Sequence, residues 1–241
     1  MRIYQNCREM YSDVRRDIHE MGVMVHPQTM QDKDVRDNQD YRTLELSPYG
    51  FTIVDGSDAM GLLDSLELSS TWLEAEFAER ITDMVNPGTA WELRREVWSQ
   101  FIHNGAFAYT YSERMNMPVD FTGPIKAPGA LAAVFHELHD HPDTRQAVLP
   151  IFCGPMDLRN MGGKKRIPCS LHYQFMRRNG ALQLIYVMRS SDFLTHFPYD
   201  VALAIRLQEY LAKLLVMPVG HFTFFTGSLH LYAKDADEGV F

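Results

Sequence analysis

Cys169 stands between Pro168 and Ser170, shortly after the basic run Lys164-Lys165-Arg166. A cysteine does chemistry as its thiolate, and nearby positive charge favours that form. The residue also opens a β-rich run, where a side chain can face a pocket. Arg189-Ser190-Ser191-Asp192 follows, and offers a planar guanidinium fork with a hydroxyl donor, a pairing suited to an oxyanion such as phosphate. His230 and Tyr232 are two residues apart, so on a strand they share one face and can hydrogen-bond a single hydroxyl group. Each group has a bland alternative: a thiol packed as a small hydrophobe, a solvated strand end, two satisfied core polar groups. A metal centre is a further possibility. His136-Glu137-Leu138-His139, with His141 beyond, is one residue short of His-Glu-x-x-His, so the two imidazoles fall at i,i+3 rather than at zinc-hydrolase spacing.

These residues need elements to hold them. Ser69-Ser70-Thr71 is a helix N-terminal signal, and Leu73, Phe77 and Ile81 form the apolar stripe of a helix reaching about residue 84, ended by Asn86-Pro87-Gly88. A second helix is expected over 89–101, with Trp91 and Trp98 on nearby faces. A third is expected over 129–140, with Leu131, Val134, Phe135 and Leu138 inward and His141-Pro142 as its stop. Residues 43–54 read as two strands around Ser47-Pro48-Tyr49-Gly50, and 31–40 as an exposed polar loop. The runs 170–176 and 182–188 flank Arg177-Arg178-Asn179-Gly180; Asn-Gly tolerates positive φ at both positions and predicts a tight hairpin. A long apolar helix over 201–215 and a strand over 221–226 complete the pattern. Strands alternating irregularly with helices give an α+β fold: a single domain over 1–241, with one large mixed β-sheet and flanking helices.

The chain has 241 residues, 46% hydrophobic and 22% charged, which excludes disorder and coiled coil. A net charge of −8 argues against non-specific nucleic-acid binding. Cys7, Cys153 and Cys169 are odd in number and widely spaced, so no disulfide framework is expected. The first seven residues have no apolar run of the secretory kind, and the best membrane candidate, 210–219, is broken by Lys213 and Pro218. A cytoplasmic protein without a membrane span is expected.

The joint spacing of these groups resembles the thymidylate synthase family, especially its deoxycytidylate hydroxymethylase branch known from phages. Pro168-Cys169 is similar to the nucleophile motif, and Tyr173-Gln174-Phe175 to the strand after it. Arg189-Ser190-x-Asp192 falls twenty residues after the cysteine. Phe197-Pro198-Tyr199-Asp200 resembles the base-reading segment, and His230-x-Tyr232 follows Asp200 by thirty residues. Upstream, 131–145 resembles the helix and arginine loop that a second subunit lends to the phosphate. Cys153-Gly154-Pro155-Met156-Asp157-Leu158 resembles a Trp-Asn-Pro-x-Asp-Leu segment without its Trp, and Glu76 precedes Trp98 by twenty-two residues. The likeness covers 43–232. Departures are Ser170 where the family often has His, and Arg145-Gln146 where it has an arginine pair.

The resemblance implies a mechanism. The Cys169 thiolate adds to C6 of a pyrimidine nucleotide, which makes C5 a nucleophile. The one-carbon unit comes from the co-substrate 5,10-methylenetetrahydrofolate, held through Asp192 and Trp98. Glu76 and a tyrosine, Tyr111 or Tyr109, handle protons. Arg189, Ser190 and a partner subunit's copy of Arg145 hold the 5′-phosphate in a homodimer, with Arg36 or Arg42 as a further phosphate ligand. His230 and Tyr232 hold the sugar hydroxyl. In the family an amide at the position of Asp200 accompanies uracil and an aspartate accompanies cytosine, so Asp200 implies dCMP. Without the resemblance, Glu76 reads as an i,i+4 surface partner of Arg80, and Asp200 as an N-cap for the helix from 201.

Only nine residues follow Tyr232, so a wet site and a hydroxymethyl product are expected unless Gly239-Val240-Phe241 forms a lid. The alternatives are dCMP C5-methylation, dUMP as the substrate, a catalytically inactive nucleotide-binding homologue, and the metal hydrolase built on His136, Glu137, His139 and His141.

Overall fold

The computed structural model describes residues 1–119 and 129–236. From the N-terminus, β1 (Arg2–Tyr4) leads into α1 (Cys7–Met21), then β2 (Val23–Val25) and the small pair β3 (Thr29–Met30) and β4 (Lys33–Asp34). β5 (Thr43–Leu46) and β6 (Tyr49–Ile53) precede α2 (Ala59–Ser65) and α3 (Ser70–Thr82). A single turn α4 (Arg95–Trp98), α5 (Tyr111–Met115), α6 (Ala130–Asp140), β7 (Val148–Pro150) and α7 (Gly154–Asp157) follow. The last part contains β8 (Ser170–Arg178), β9 (Ala181–Met188), β10 (Ser191–Asp192), α8 (Phe197–Leu214), β11 (Val219–Thr226) and β12 (Leu229–Tyr232).

The six-stranded sheet has the order β1-β6-β11-β9-β8-β7 and is mixed, with β11 parallel to β9 but antiparallel to β6. A second sheet has the order β10-β12-β5-β2. The two strands predicted over 43–54 are both present, but each joins a different sheet; Ser47-Pro48 carries the chain from one sheet to the other. The hairpin closes at Asn179-Gly180, with φ of 54° and 75°. Positive φ at both central residues matches the twist of the arms, and Asn and Gly tolerate it better than other residues.

α8 is apolar on nearly every side and is correspondingly enclosed, from Phe197 through Ala212. Phe197 packs edge-on against Phe51 and Phe224, whose rings stack at 5.2 Å. Tyr173 and Tyr186 stack across the hairpin at 4.2 Å. Each large side chain taken out of water here contributes roughly 1.5–3 kcal/mol.

Two helical expectations change, and one helix is new. α8 begins at Phe197, with Pro198 in its first turn, where proline's fixed φ suits a helix start. Asp200 therefore lies inside the helix and is no N-cap. The continuous helix expected over 89–101 is two 3-10 turns around α4, because Arg94 leaves helical geometry at φ −137°, ψ 47°. That break turns its guanidinium inward onto Trp72 and Tyr199. α1 had no sequence-based expectation, although Asn6 caps it through Glu9 N and Met10, Val14 and Ile18 are spaced as a buried stripe. Among the described residues, no helix is long and apolar enough to cross a membrane.

Candidate active site

A cavity of about 520 Å³ opens between the ends of the hairpin, the start of α8, β12 and α3. Cys169 and Arg189 are brought together by pairing alone. They flank the last register pair of β8 and β9, Ser170 with Met188, and Arg189 N donates to Cys169 O at 2.8 Å. Gly227 completes the corner, since a Cβ there would sit 2.9 Å from Arg189 O.

Among the described residues, three donors surround the sulfur. Arg189 Nη2 lies at 3.5 Å, Gln31 Nε2 at 3.6 Å and Ser190 Oγ at 3.7 Å. A guanidinium and two polar hydrogens are surroundings that suit a thiolate nucleophile. Arg189 is itself oriented by Pro168 O, Ile167 O and Ser190 Oγ. The expected source of positive charge is corrected here: Lys164 and Lys165 are exposed, and the cation at the sulfur is Arg189. Gln31 had no sequence-based signal; it sits in the β3–β4 turn at φ 57° and also accepts from Ile167 N.

Glu76 lines the cavity from α3 and accepts from Arg80 Nε at 2.8 Å. The pair is made, but Arg80 is buried, so it is not the solvated surface pair of the bland reading. The Arg80 guanidinium lies 4.3 Å from the ring centre of Tyr111. Glu74, two residues earlier, pairs with Arg206 outside the cavity.

Both candidate tyrosines line the cavity. Tyr109 donates its hydroxyl proton to Ile167 O at 3.3 Å. The Tyr111 oxygen accepts from Ser170 Oγ at 3.2 Å, and Ser170 also bonds the Tyr186 hydroxyl. Burial pushes the Tyr111 hydroxyl well above its ordinary range and Tyr109 up to about 12, so both keep their protons at neutral pH.

Asp200 reaches the cavity from the first turn of α8. Its Oδ2 accepts from Ser191 Oγ at 2.7 Å, and loss of solvent pushes the carboxyl up to about 7. Asp192 accepts from Leu194 N and Thr195 N, and burial raises it as well. β10 lies parallel to β12 with Asp192 opposite His230. Burial holds His230 down at about 4, so it is neutral at physiological pH, and its ring lies 4.9 Å from that of Tyr232.

Trp98 lines the far wall, stacked on Trp72 at 6.3 Å and beside His196 at 5.4 Å. Its Nε1 is buried without a hydrogen-bond partner among the described residues. Arg80, Arg166, His196 and Trp72 also line this space; no motif had marked them as site residues.

Other expected residues lie elsewhere. Arg145 is exposed near β7, and its carbonyl accepts from Gln174. Arg36 pairs with Asp34, and Arg42 Nε donates to Gln39 O; neither lines the cavity. Asp157 makes a buried pair with Arg114 at 2.7 Å. In the would-be metal cluster, Glu137 accepts from Thr144 and His139 is paired with Asp140. The suggested lid, Gly239-Val240-Phe241, lies outside the described residues.

A model of the thymidylate synthase family matches residues 11–239. A putative thymidylate synthase of Methanosarcina barkeri is 27% identical over 161 residues, 65% of this chain and 70% of that protein. A deoxyuridylate hydroxymethyltransferase of Bacillus phage SP01 is 36% identical over 143 residues, 56% of this chain and 37% of that protein. The solved structure of thermostable thymidylate synthase A from Bacillus subtilis has the same fold, with a TM-score of 0.68 at 16% identity, covering 93% of this chain and 79% of that one.

Proposed function

The chain belongs to the thymidylate synthase family, and on that premise we propose that it hydroxymethylates C5 of dCMP, using 5,10-methylenetetrahydrofolate and water. The observation that supports cytosine most is the Asp200 carboxyl, bonded to Ser191 and carrying its proton up to about pH 7. A protonated carboxyl donates to N3 and accepts from the N4 amino group of cytosine, and the ionised form still accepts from that amino group but sets an anionic oxygen against O4 of uracil.

The Cys169 sulfur adds to C6 and C5 becomes nucleophilic. The folate supplies one carbon at the oxidation level of formaldehyde; the unpartnered Nε1 of Trp98 and the stacked indoles suit a flat heteroaromatic ligand. Glu76, aimed by Arg80, and Tyr111 move the C5 proton away. The bond between that carbon and the folate nitrogen would then break, releasing tetrahydrofolate and leaving an exocyclic methylene at C5; water adds to it as the sulfur leaves C6, so the product gains CH2O. Arg189 and Ser190 hold the 5′-phosphate, while His230 and Tyr232 hold the sugar hydroxyl. Asp192 orients the folate.

Arg145 serves the neighbouring site of a homodimer. The sheet face away from α8, with Ile185, Val187 and exposed Phe225, supplies an apolar surface for that contact. The reaction is assigned to the cytoplasm, where free thiols persist.

The phage relative favours a second reading, hydroxymethylation of dUMP, because that protein is named for deoxyuridylate. Tritium release from C5-labelled dCMP and dUMP, followed by product mass, separates the readings. Hydroxymethylation adds about 30 mass units and methylation about 14. Absence of release from both nucleotides with folate present overturns every enzyme reading.

A further inference from the structure

The cavity contains a cation that the proposed reaction does not use. Arg166 lies three residues before Cys169 and is only 8% exposed. Its guanidinium carbon is 4.1 Å from the ring centre of Phe101 and 5.4 Å from those of Trp98 and Tyr109. Among the described residues no hydrogen bond or ion pair reaches it, and its Nε is buried without an acceptor.

The neighbouring arginines differ. Arg80 has Glu76, Arg114 has Asp157, Arg94 donates to Thr195 O, and Arg189 has two carbonyls and a hydroxyl. Aromatic faces attract a cation and fix its plane, but they leave the in-plane N–H donors unsatisfied. A nearly buried arginine with an orphaned Nε–H and no counter-ion is costly to carry, so its retention at a cavity wall points to a ligand.

We propose that Arg166 is the counter-ion for an oxyanion, carboxylate or phosphate, carried by a substrate of this cavity. The proposal rests on the nucleotide-and-folate reading above, in which two groups have that chemistry: the 5′-phosphate and the glutamyl carboxylates of the folate. Arg189 and Ser190 stand at the sulfur, while Arg166 stands on the aromatic wall beside Trp98. That position favours the folate carboxylate.

The test is equilibrium binding by calorimetry to the wild-type protein, Arg166→Met and Arg166→Lys. The ligands are dCMP, deoxycytidine, tetrahydrofolate and its uncharged glutamyl diester. Arg166→Met is expected to weaken one of the two anionic ligands by roughly 10- to 100-fold while leaving its uncharged counterpart unchanged. Arg166→Lys recovers part of the loss. Loss confined to tetrahydrofolate identifies the carboxylate, and loss confined to dCMP identifies the phosphate. A variant that does not fold is bypassed in the wild-type protein by following the Arg166 Nε–H signal by NMR. That signal moves with the anionic ligand and not with its neutral form. Wild-type binding of both substrates with neither loss nor signal movement overturns the role of Arg166 alone. Failure of the wild type to bind either substrate overturns the functional reading as well.

Discussion

The Ser191 hydroxyl donates to Oδ2 of Asp200 at 2.7 Å, and this bond sets the plane of a carboxyl group held at about pKa 7. Ser191 is fixed in turn by the short parallel pairing of β10 with β12. The Asp200 carboxyl is therefore positioned through sheet geometry rather than by a mobile loop.

In the proposed dCMP complex, ionising Asp200 would place a second acceptor against the N3 lone pair of cytosine. Turnover of dCMP is expected to lose about tenfold in kcat/KM per pH unit above roughly pH 7. Asp200→Asn removes that limb and shifts preference toward dUMP by on the order of 100-fold. An unchanged preference ratio in competition assays counts against the assignment.

The same group affects stability. Its folded pKa is raised, so the native state gives up its proton later than the unfolded chain does. The penalty is absent below the usual carboxylate range, grows as pH rises, and is complete above about 7. Asp200→Asn is expected to stabilise the protein at pH 8 by roughly 1–3 kcal/mol and to have little effect near pH 4. Urea titrations at both pH values measure this.

Cys169→Ser keeps the packing and removes the proposed nucleophile. Tritium release should fall by on the order of 1,000-fold or more, while equilibrium binding of dCMP changes little. Substantial release from this variant would eliminate the covalent route.

Glu76 and Glu74 give a matched pair. Glu76→Gln should lower kcat by roughly 100- to 10,000-fold. Glu74→Ala breaks only the exposed pair with Arg206 and should cost at most about 1 kcal/mol in stability, with kcat unchanged. Arg80→Leu should resemble Glu76→Gln, and the double variant should be little worse than either, as expected of groups acting as a unit. Full additivity would separate them.

Subunit sharing has a direct assay. Arg145→Ala and Cys169→Ser homodimers should each be nearly inactive. Mixing and refolding them gives heterodimers with one intact site, recovering about a quarter of wild-type activity by random pairing. No recovery would place Arg145 outside the partner's site.

What was legible in the sequence depended on locality. The hairpin was visible because Asn179-Gly180 encodes its own turn. α3 was visible because Ser69 caps it and Leu73 and Phe77 share a face. The spacings among Cys169, Arg189, Asp200 and His230 identified groups that the fold does bring to one cavity. Arg80 was legible only as a partner of Glu76, since nothing local says the pair is enclosed. Arg166 was counted with Lys164 and Lys165, yet one of the three turns inward and two stay in water. Gln31 and His196 arrive through tertiary contacts that have no sequence period. The helix expected over 89–101 failed because enclosing Arg94 against two aromatic rings outweighed local helical preference.

The hairpin imposes an asymmetry on how this chain can diverge. Its tip at Asn179-Gly180 lies at the opposite end from the sulfur, so lengthening it leaves the chemistry intact. Removing one residue from either arm exchanges every inward side chain for an outward one and carries Arg189 off the sulfur. Drift among descendants of this chain should therefore collect at the tip, while the arms keep their length long after their residues have changed.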